Sequence, residues 1–133
     1  MTYNVLVIGH RLPHVTPAAF QHYYDKKHIP LVQALTGARF PLTHTRRYVQ
    51  RTRTGADEYS ATVFAGSQAD VDYDVLAEMA FESEDAFRAF VAILREEENA
   101  RAIEEDEKHF FDRSRVRTVL LGETDVTVRE GGA

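Results

Sequence analysis

A chain of 133 residues with no cysteine and a formal net charge of −5 is long enough to bury an ordinary core as one domain over residues 1–133. It can form no disulfide framework, thiolate nucleophile or cysteine zinc site. An acidic chain is also a poor nucleic-acid binder, because phosphate affinity comes largely from clustered cations.

The charge is unevenly spread: residues 1–66 carry eight Lys/Arg against three Asp/Glu, and residues 67–133 carry eight against eighteen. Arg39, Arg46, Arg47, Arg51 and Arg53 form a cluster that fits either a small anion or pairing with the acidic half. The opening MTYNVLVIGHRL has an apolar run too short to span a bilayer, with no basic lead or small-residue cleavage site. The expectation is a soluble cytoplasmic protein with no membrane partner.

Val5, Leu6, Val7 and Ile8, within Tyr3 to Leu12, are apolar on both faces, which predicts a central strand with His10 at its end. Thr16 followed by Pro17 starts a helix, and Gly37 stops it. Phe20, Tyr24, His28, Leu31 and Leu35 recur at intervals of three and four, so His28 falls on the apolar stripe. Pro30 removes a backbone bond, clashes with the carbonyl of Lys26 and biases Ile29 away from helical angles, predicting a bend near His28. That bend either shapes a pocket or merely joins two helices.

Leu42, His44, Arg46, Tyr48 and Gln50 alternate with Thr43, Thr45, Arg47, Val49 and Arg51, a second strand with neither face cleanly apolar. It suits a strand lining a polar cavity and equally an edge strand. Thr52 to Asp72, at about twenty residues, exceeds an ordinary connection, and its apolar patch with Val63 and Phe64 suggests a packed lid. Tyr73 to Glu82 alternates as a third strand. Ser83 caps a helix with Glu84 and Asp85 in its first turn and Phe87, Phe90, Val91 and Leu94 as its stripe. The acidic segment Glu96 to Glu107 continues the helical pattern and reads as a solvated face. Arg115 to Gly122 is a fourth strand, and residues 123–133 form a C-terminal tail, frayed from Glu130.

Strand, helix, strand, strand, helix, strand is the split βαβ order of an α+β, ferredoxin-like βαββαβ sandwich with helices on one face of an antiparallel sheet. The other face needs cover, which a second copy supplies if two sheets curl into one barrel. The motif Phe20-x-x-Tyr23-Tyr24-x-x-x-His28-x-Pro30-Leu31, together with Asp106-Glu107-x-x-Phe110-x-Asp112, resembles the EthD-domain family of the dimeric α+β barrel superfamily. Phe40 to Tyr48, FPLTHTRRY, is similar to its fungal branch. The resemblance covers roughly Tyr3 to Gly122. It implies a homodimer and a pocket between sheet and helices, as in decarboxylases, dehydratases and cyclases of aromatic polyketide pathways that use no metal or organic cofactor.

On that reading the protein is a cofactor-independent, lyase-type enzyme of secondary metabolism acting on a small aromatic or polyketide-derived substrate. The competing reading is a non-catalytic small-molecule-binding or stress-associated dimer. His28 is the candidate proton shuttle, against the alternative of a histidine bonding a carbonyl freed by the bend. Tyr24 either orients it or is core. His44, Arg46 and Tyr48 share one strand face, so an acid/base, a cation and a phenol converge on one ligand if that face lines a cavity. Tyr48 or His44 would donate to an oxyanion, Arg46 would anchor a carboxylate, and His10 and Phe64 would contact substrate. His109 and Asp112 stand three apart, either as an imidazole held by a carboxylate or as a surface pair. Metal binding is not indicated: Pro13 denies His10 and His14 a shared helix face, and Glu105 with His109 stands alone.

Overall fold

The computed structural model describes residues 1–131, so Gly132 and Ala133, the end of the expected tail, lie outside the described residues. In chain order the elements are β1 (Tyr3–Gly9), α1 (Pro17–Tyr23), α2 (Ile29–Thr36), β2 (Thr43–Tyr48), β3 (Arg51–Gly55), β4 (Glu58–Ala61), β5 (Val75–Phe81), α3 (Glu84–Arg95), α4 (Glu97–Glu107) and β6 (Arg117–Leu120). Four of the strands form an antiparallel sheet in the order β2-β5-β1-β6. This is the ferredoxin-like α+β arrangement.

The two-residue period decides the faces of this sheet. Val5, Val75, Ala77, Met79 and Phe81 point to the helices and are buried, with Val5 opposite Met79 and Val7 opposite Ala77. Leu6, Ile8, Leu76, Glu78 and Ala80 point the other way and are partly or fully exposed. Phe20, Tyr24, Ile29, Val75, Phe110 and Phe111 form one core cluster, and Val5, Val32, Met79, Phe81 and Phe90 form the other. Gly9 makes the first possible: a Cβ there would stand 2.6 Å from the Phe111 ring.

Thr16 caps α1 as expected, its hydroxyl accepting from the Ala19 amide at 3.1 Å. The bend differs from expectation. Tyr24–His28 form a wider π-turn, and Ile29 keeps helical angles (φ −60°, ψ −46°) while donating to the carbonyl of Tyr24, five residues back. Pro30 has no N–H for the Lys26 carbonyl and crowds it, and a widened turn accommodates both problems without leaving helical dihedrals. The result places Tyr24 and His28 in the interior, while Asp25 between them reaches β2.

Two other expectations are corrected. The segment 52–72 is not a packed lid: Arg51–Gly55 and Glu58–Ala61 pair as a hairpin, turned at Asp57 with φ 57°, and Phe64 is 98% exposed. Its exit is fastened instead by Gln68, whose side-chain amide bonds the N–H and C=O of Ala61 at 3.0 and 2.7 Å. The second long helix is broken at Glu96 (ψ 138°), where the Asn99 amide donates to the freed carbonyl of Ile93 at 2.9 Å. The break lets α4 fold back against α2, α3 and the π-turn. Among the described residues, no helix is long and apolar enough to cross a membrane.

Candidate active site

A cavity of about 270 Å³ opens between the sheet and the helices. Val7 and Met79 from the sheet, Ile29 and Val32 from α2, Phe90 and Leu94 from α3, and Ile103 from α4 supply its apolar wall. Its polar groups are Tyr24, His28, His44, Glu107 and Arg113. An apolar cavity with a few convergent polar groups is the usual form of a small-molecule site.

His28 is 9% exposed and its Nδ1 lies 2.8 Å from Oδ2 of Asp106. An ionised carboxylate only accepts, so Nδ1 carries the proton and neutral His28 has its lone pair on Nε2. The Tyr23 hydroxyl donates to the other oxygen of Asp106 at 2.7 Å, and burial together with Asp106 pushes this phenol up to about 12. Burial holds His28 below the ordinary histidine value, although Asp106 pulls it the other way. The imidazole is therefore neutral near pH 7, a base rather than a cation.

Tyr24 stands between the two cavity histidines, its ring 5.6 Å from that of His28 and 6.0 Å from that of His44. Burial raises its hydroxyl well above the ordinary range, which keeps it a donor. The Nδ1 of His44 lies 2.9 Å from Nη1 of Arg46. Burial first, then Arg46 and His28, push His44 down to about 4.

Asp106 and Glu107 belong to the motif quoted above, but the acidic run around them conceals their role in the site. Burial pushes the Glu107 carboxyl up to about 7, against the pull of Arg113, whose Nε is 3.6 Å away. A phase signal was available. Asn99, Ala102, Ile103, Asp106 and Glu107 are the partly buried positions of α4, and Phe110 just beyond its end is buried, the i, i+3, i+4, i+7, i+8, i+11 spacing of one stripe. Glu97, Glu98, Glu104 and Glu105 are the solvated face that the charge suggested.

The remaining sequence candidates lie elsewhere. Tyr48 and Arg46 share the His44 face of β2, as the alternation required, but neither lines the cavity: the Tyr48 hydroxyl and Arg46 Nε donate to Oδ1 of Asp25 at 2.6 and 2.7 Å. His10 is buried beside Asp72, 3.3 Å from its Oδ1. His109 stacks on Tyr23 at 5.4 Å and donates Nδ1–H to the carbonyls of Glu105 and Asp106. It is not held by Asp112, whose carboxylate instead caps the next turn by accepting from the Ser114 amide and hydroxyl. Phe64 is remote in solvent. Among the described residues, no group of three or more His, Asp or Glu side chains is placed to hold a metal ion.

With this geometry in view, the family model of the EthD domain matches residues 12–114. The chain belongs to the EthD domain family. The match spans the π-turn, β2, the hairpin and all of α4, so every polar cavity residue lies inside the EthD region. The fold also resembles the crystal structure of an ethyl tert-butyl ether d (EthD) family protein from Bacillus halodurans C-125. That similarity has a TM-score of 0.55 at 14% identity, over 93% of this chain and 100% of the other. At that identity the likeness to the bacterial protein is one of fold. No protein of curated function matches the sequence.

Proposed function

We propose that this EthD-family protein is a cofactor-independent acid/base enzyme that converts a small aromatic or polyketide-derived carbonyl compound through an enolate. The observation that carries this reading is the pairing of two imidazoles, the buried His28 and the half-buried His44, on one apolar cavity. His28 Nε2 takes the proton from the carbon beside the carbonyl, and the electron pair of that C–H bond moves onto the carbonyl oxygen. His44 Nε2–H and the Tyr24 hydroxyl stabilise the oxygen as charge develops. Glu107, half protonated near neutrality, returns a proton to a departing hydroxyl or to carbon. Dehydration and aldol cyclisation pass through the enolate formed in this way, decarboxylation reaches the same enolate by losing CO₂ as its C–C electron pair moves onto the carbonyl oxygen, and none of these proton transfers requires a metal. A cavity of about 270 Å³, near the lower end of the roughly 300–1,000 Å³ of ligand sites, suits about two fused rings.

Exchange of deuterium from D₂O into the α-position of 1-tetralone, followed by proton NMR, isolates the shared step. The wild-type protein should catalyse it, and folded His28→Ala protein should lose about 10²-fold or more in rate. Ligand binding in the cavity with no exchange by the wild type would favour the non-catalytic binding protein. The same reading includes a homodimer built on the outer sheet face, supported by Leu6, Ile8, Leu76 and Ala80 lying together with no helix over them among the described residues. Sedimentation should give a dimer, and a stable monomer at micromolar concentration would remove the barrel from the proposal.

A further inference from the structure

The groups that hold His44 are not cavity residues, and their arrangement has a purpose of its own. Oδ1 of Asp25 accepts from Nε of Arg46 at 2.7 Å and from the Tyr48 hydroxyl at 2.6 Å. Tethered in this way, Arg46 directs Nη1 to Nδ1 of His44 at 2.9 Å and to the His44 carbonyl at 3.2 Å, with its guanidinium 5.7 Å from the Tyr24 ring centroid. The Arg46 and Asp25 side chains are only 20% and 27% exposed, so the bridge is sheltered from solvent. The carboxylate anchor expected of Arg46 is thus engaged within the protein.

A guanidinium has donors and no acceptor. The His44 nitrogen that faces it must present a lone pair, which leaves the proton of the neutral ring on Nε2. The contrast with His28 is chemical: a carboxylate beside Nδ1 demands a proton there, and a guanidinium beside Nδ1 forbids one.

We propose that Asp25 and Arg46 are positioning residues that lock His44 as the neutral Nε2–H tautomer, a donor directed by the fold toward the cavity. What this donor does rests on the enolate reading above; the tautomer lock does not. The π-turn ties the two histidines together. The same five residues that carry Tyr24 and His28 inward carry Asp25 to β2, so the accommodation of Pro30 sets the Arg46 tether as well. The groups facing His44 are Arg46 on its own strand, and Tyr24, Asp25 and His28 from the π-turn. Phe40 stacks on its ring at 6.3 Å. Of these, Arg46 makes the direct contact with Nδ1.

The test uses ¹⁵N-labelled full-length protein and long-range ¹H–¹⁵N spectra of the histidine rings, titrated across the acid and neutral range. Wild-type His44 should show Nε2–H with a titration midpoint far below the ordinary histidine value. Arg46→Met keeps an apolar stem but no donor, so the tautomer preference should collapse and the midpoint should rise by about one unit or more. Arg46→Lys keeps the cation and should recover part of the shift, while Asp25→Asn, which slackens the tether, should fall between wild type and Arg46→Met. If His44 in folded Arg46→Met keeps the wild-type tautomer and midpoint, the inference is overturned; should that variant not fold, unchanged His44 signals in Asp25→Asn overturn it equally. Deuterium exchange into 1-tetralone separates the two claims. A lock seen by NMR in a wild-type protein that exchanges nothing sinks the enolate reading and supports the inference. In an active enzyme, Arg46→Met should lower kcat about tenfold with KM nearly unchanged.

Discussion

Asp74 and Asp106 are both sheltered acids gripped by two side chains from distant parts of the chain, yet the two networks end differently. Asp74 accepts from the amide and Nε of Arg11 at 2.9 and 3.2 Å and from Nε of Arg51 at 2.9 Å. Arg51 gives Nη2 to the carbonyls of Val71 and Tyr73, and Arg11 gives Nη1 to the carbonyl of Val15. Every branch closes on backbone, fastening the end of β1, the start of β5 and the hairpin. Asp106 holds Tyr23 and His28, and the branch through His28 stops at a ring that lines the cavity. A buried ionic network that uses up its valences is a fastening, and one that leaves a titratable atom at a cavity is positioned to act on a ligand.

The largest effect should come from cutting the closed network. Asp74→Ala leaves two guanidinium groups, 15% and 7% exposed, without their shared carboxylate, and removing one partner of a buried ion pair costs about 3–5 kcal/mol. Urea unfolding should report a loss of that order. A loss below about 1 kcal/mol would mean that water replaces the carboxylate and that the network is not closed in solution.

Next in size is a pH-dependent effect at Glu107. Its folded value, about 7 against an ordinary 4.5, is raised, so the folded state binds the proton more tightly than the unfolded chain. The associated stability is fully present below the unfolded value and is lost as pH rises through about 7. Glu107→Gln should therefore be more stable than wild type at pH 8, by up to about 3 kcal/mol, with the advantage vanishing near pH 4. His44 has the opposite sign: its value is depressed to about 4, so its contribution is present above the ordinary histidine range and lost as pH falls toward 4. Thermal melts of wild type and Glu107→Gln across pH would separate the two. Equal melting temperatures at pH 8 would show Glu107 to be solvated rather than held at the cavity.

Asp106→Asn comes third. The side chain offers one acceptor where two donors, the Tyr23 hydroxyl and His28 Nδ1–H, now end, so the His28 tautomer is no longer enforced. Exchange activity should fall about tenfold or more while stability moves less than in Asp74→Ala. An unchanged rate would show that packing against Phe110, 5.1 Å from the His28 ring, orients the imidazole unaided.

What was legible in the sequence follows from how each signal is carried. Alternation in β2 placed His44, Arg46 and Tyr48 on one face because side-chain period is a backbone property that polarity cannot erase. The partner of that face was not legible, since Asp25 meets Arg46 only after the π-turn widens the helix. Pro30 announced a disturbance near His28, but the choice between breaking and widening lies in the hydrogen bond from Ile29 to Tyr24. Asp106 and Glu107 stand in the motif that resembles the EthD family, but their acidic surroundings hide the buried phase that would give them a site role. The hairpin is not legible as strands because Arg51, Thr52, Arg53 and Thr54 are polar on both faces, so alternation leaves no hydrophobic trace.

The smallest expected effect distinguishes that hairpin region from the cavity. Phe64 follows β4 in a segment with little apolar support, 98% exposed, and no residue lining the cavity lies between Tyr48 and Met79. If the segment were a lid closing over bound ligand, Phe64→Ser would raise KM. In the arrangement observed, it should change stability by less than about 0.5 kcal/mol, as at an ordinary surface position, and leave exchange kinetics at wild-type values. Sedimentation of the same variant adds a second reading, because a large exposed aromatic is costly to leave in water if a second copy can cover it. A weakened dimer with unchanged kinetics would place Phe64 in the subunit contact, whereas a raised KM would restore the lid and require the segment to move when ligand binds.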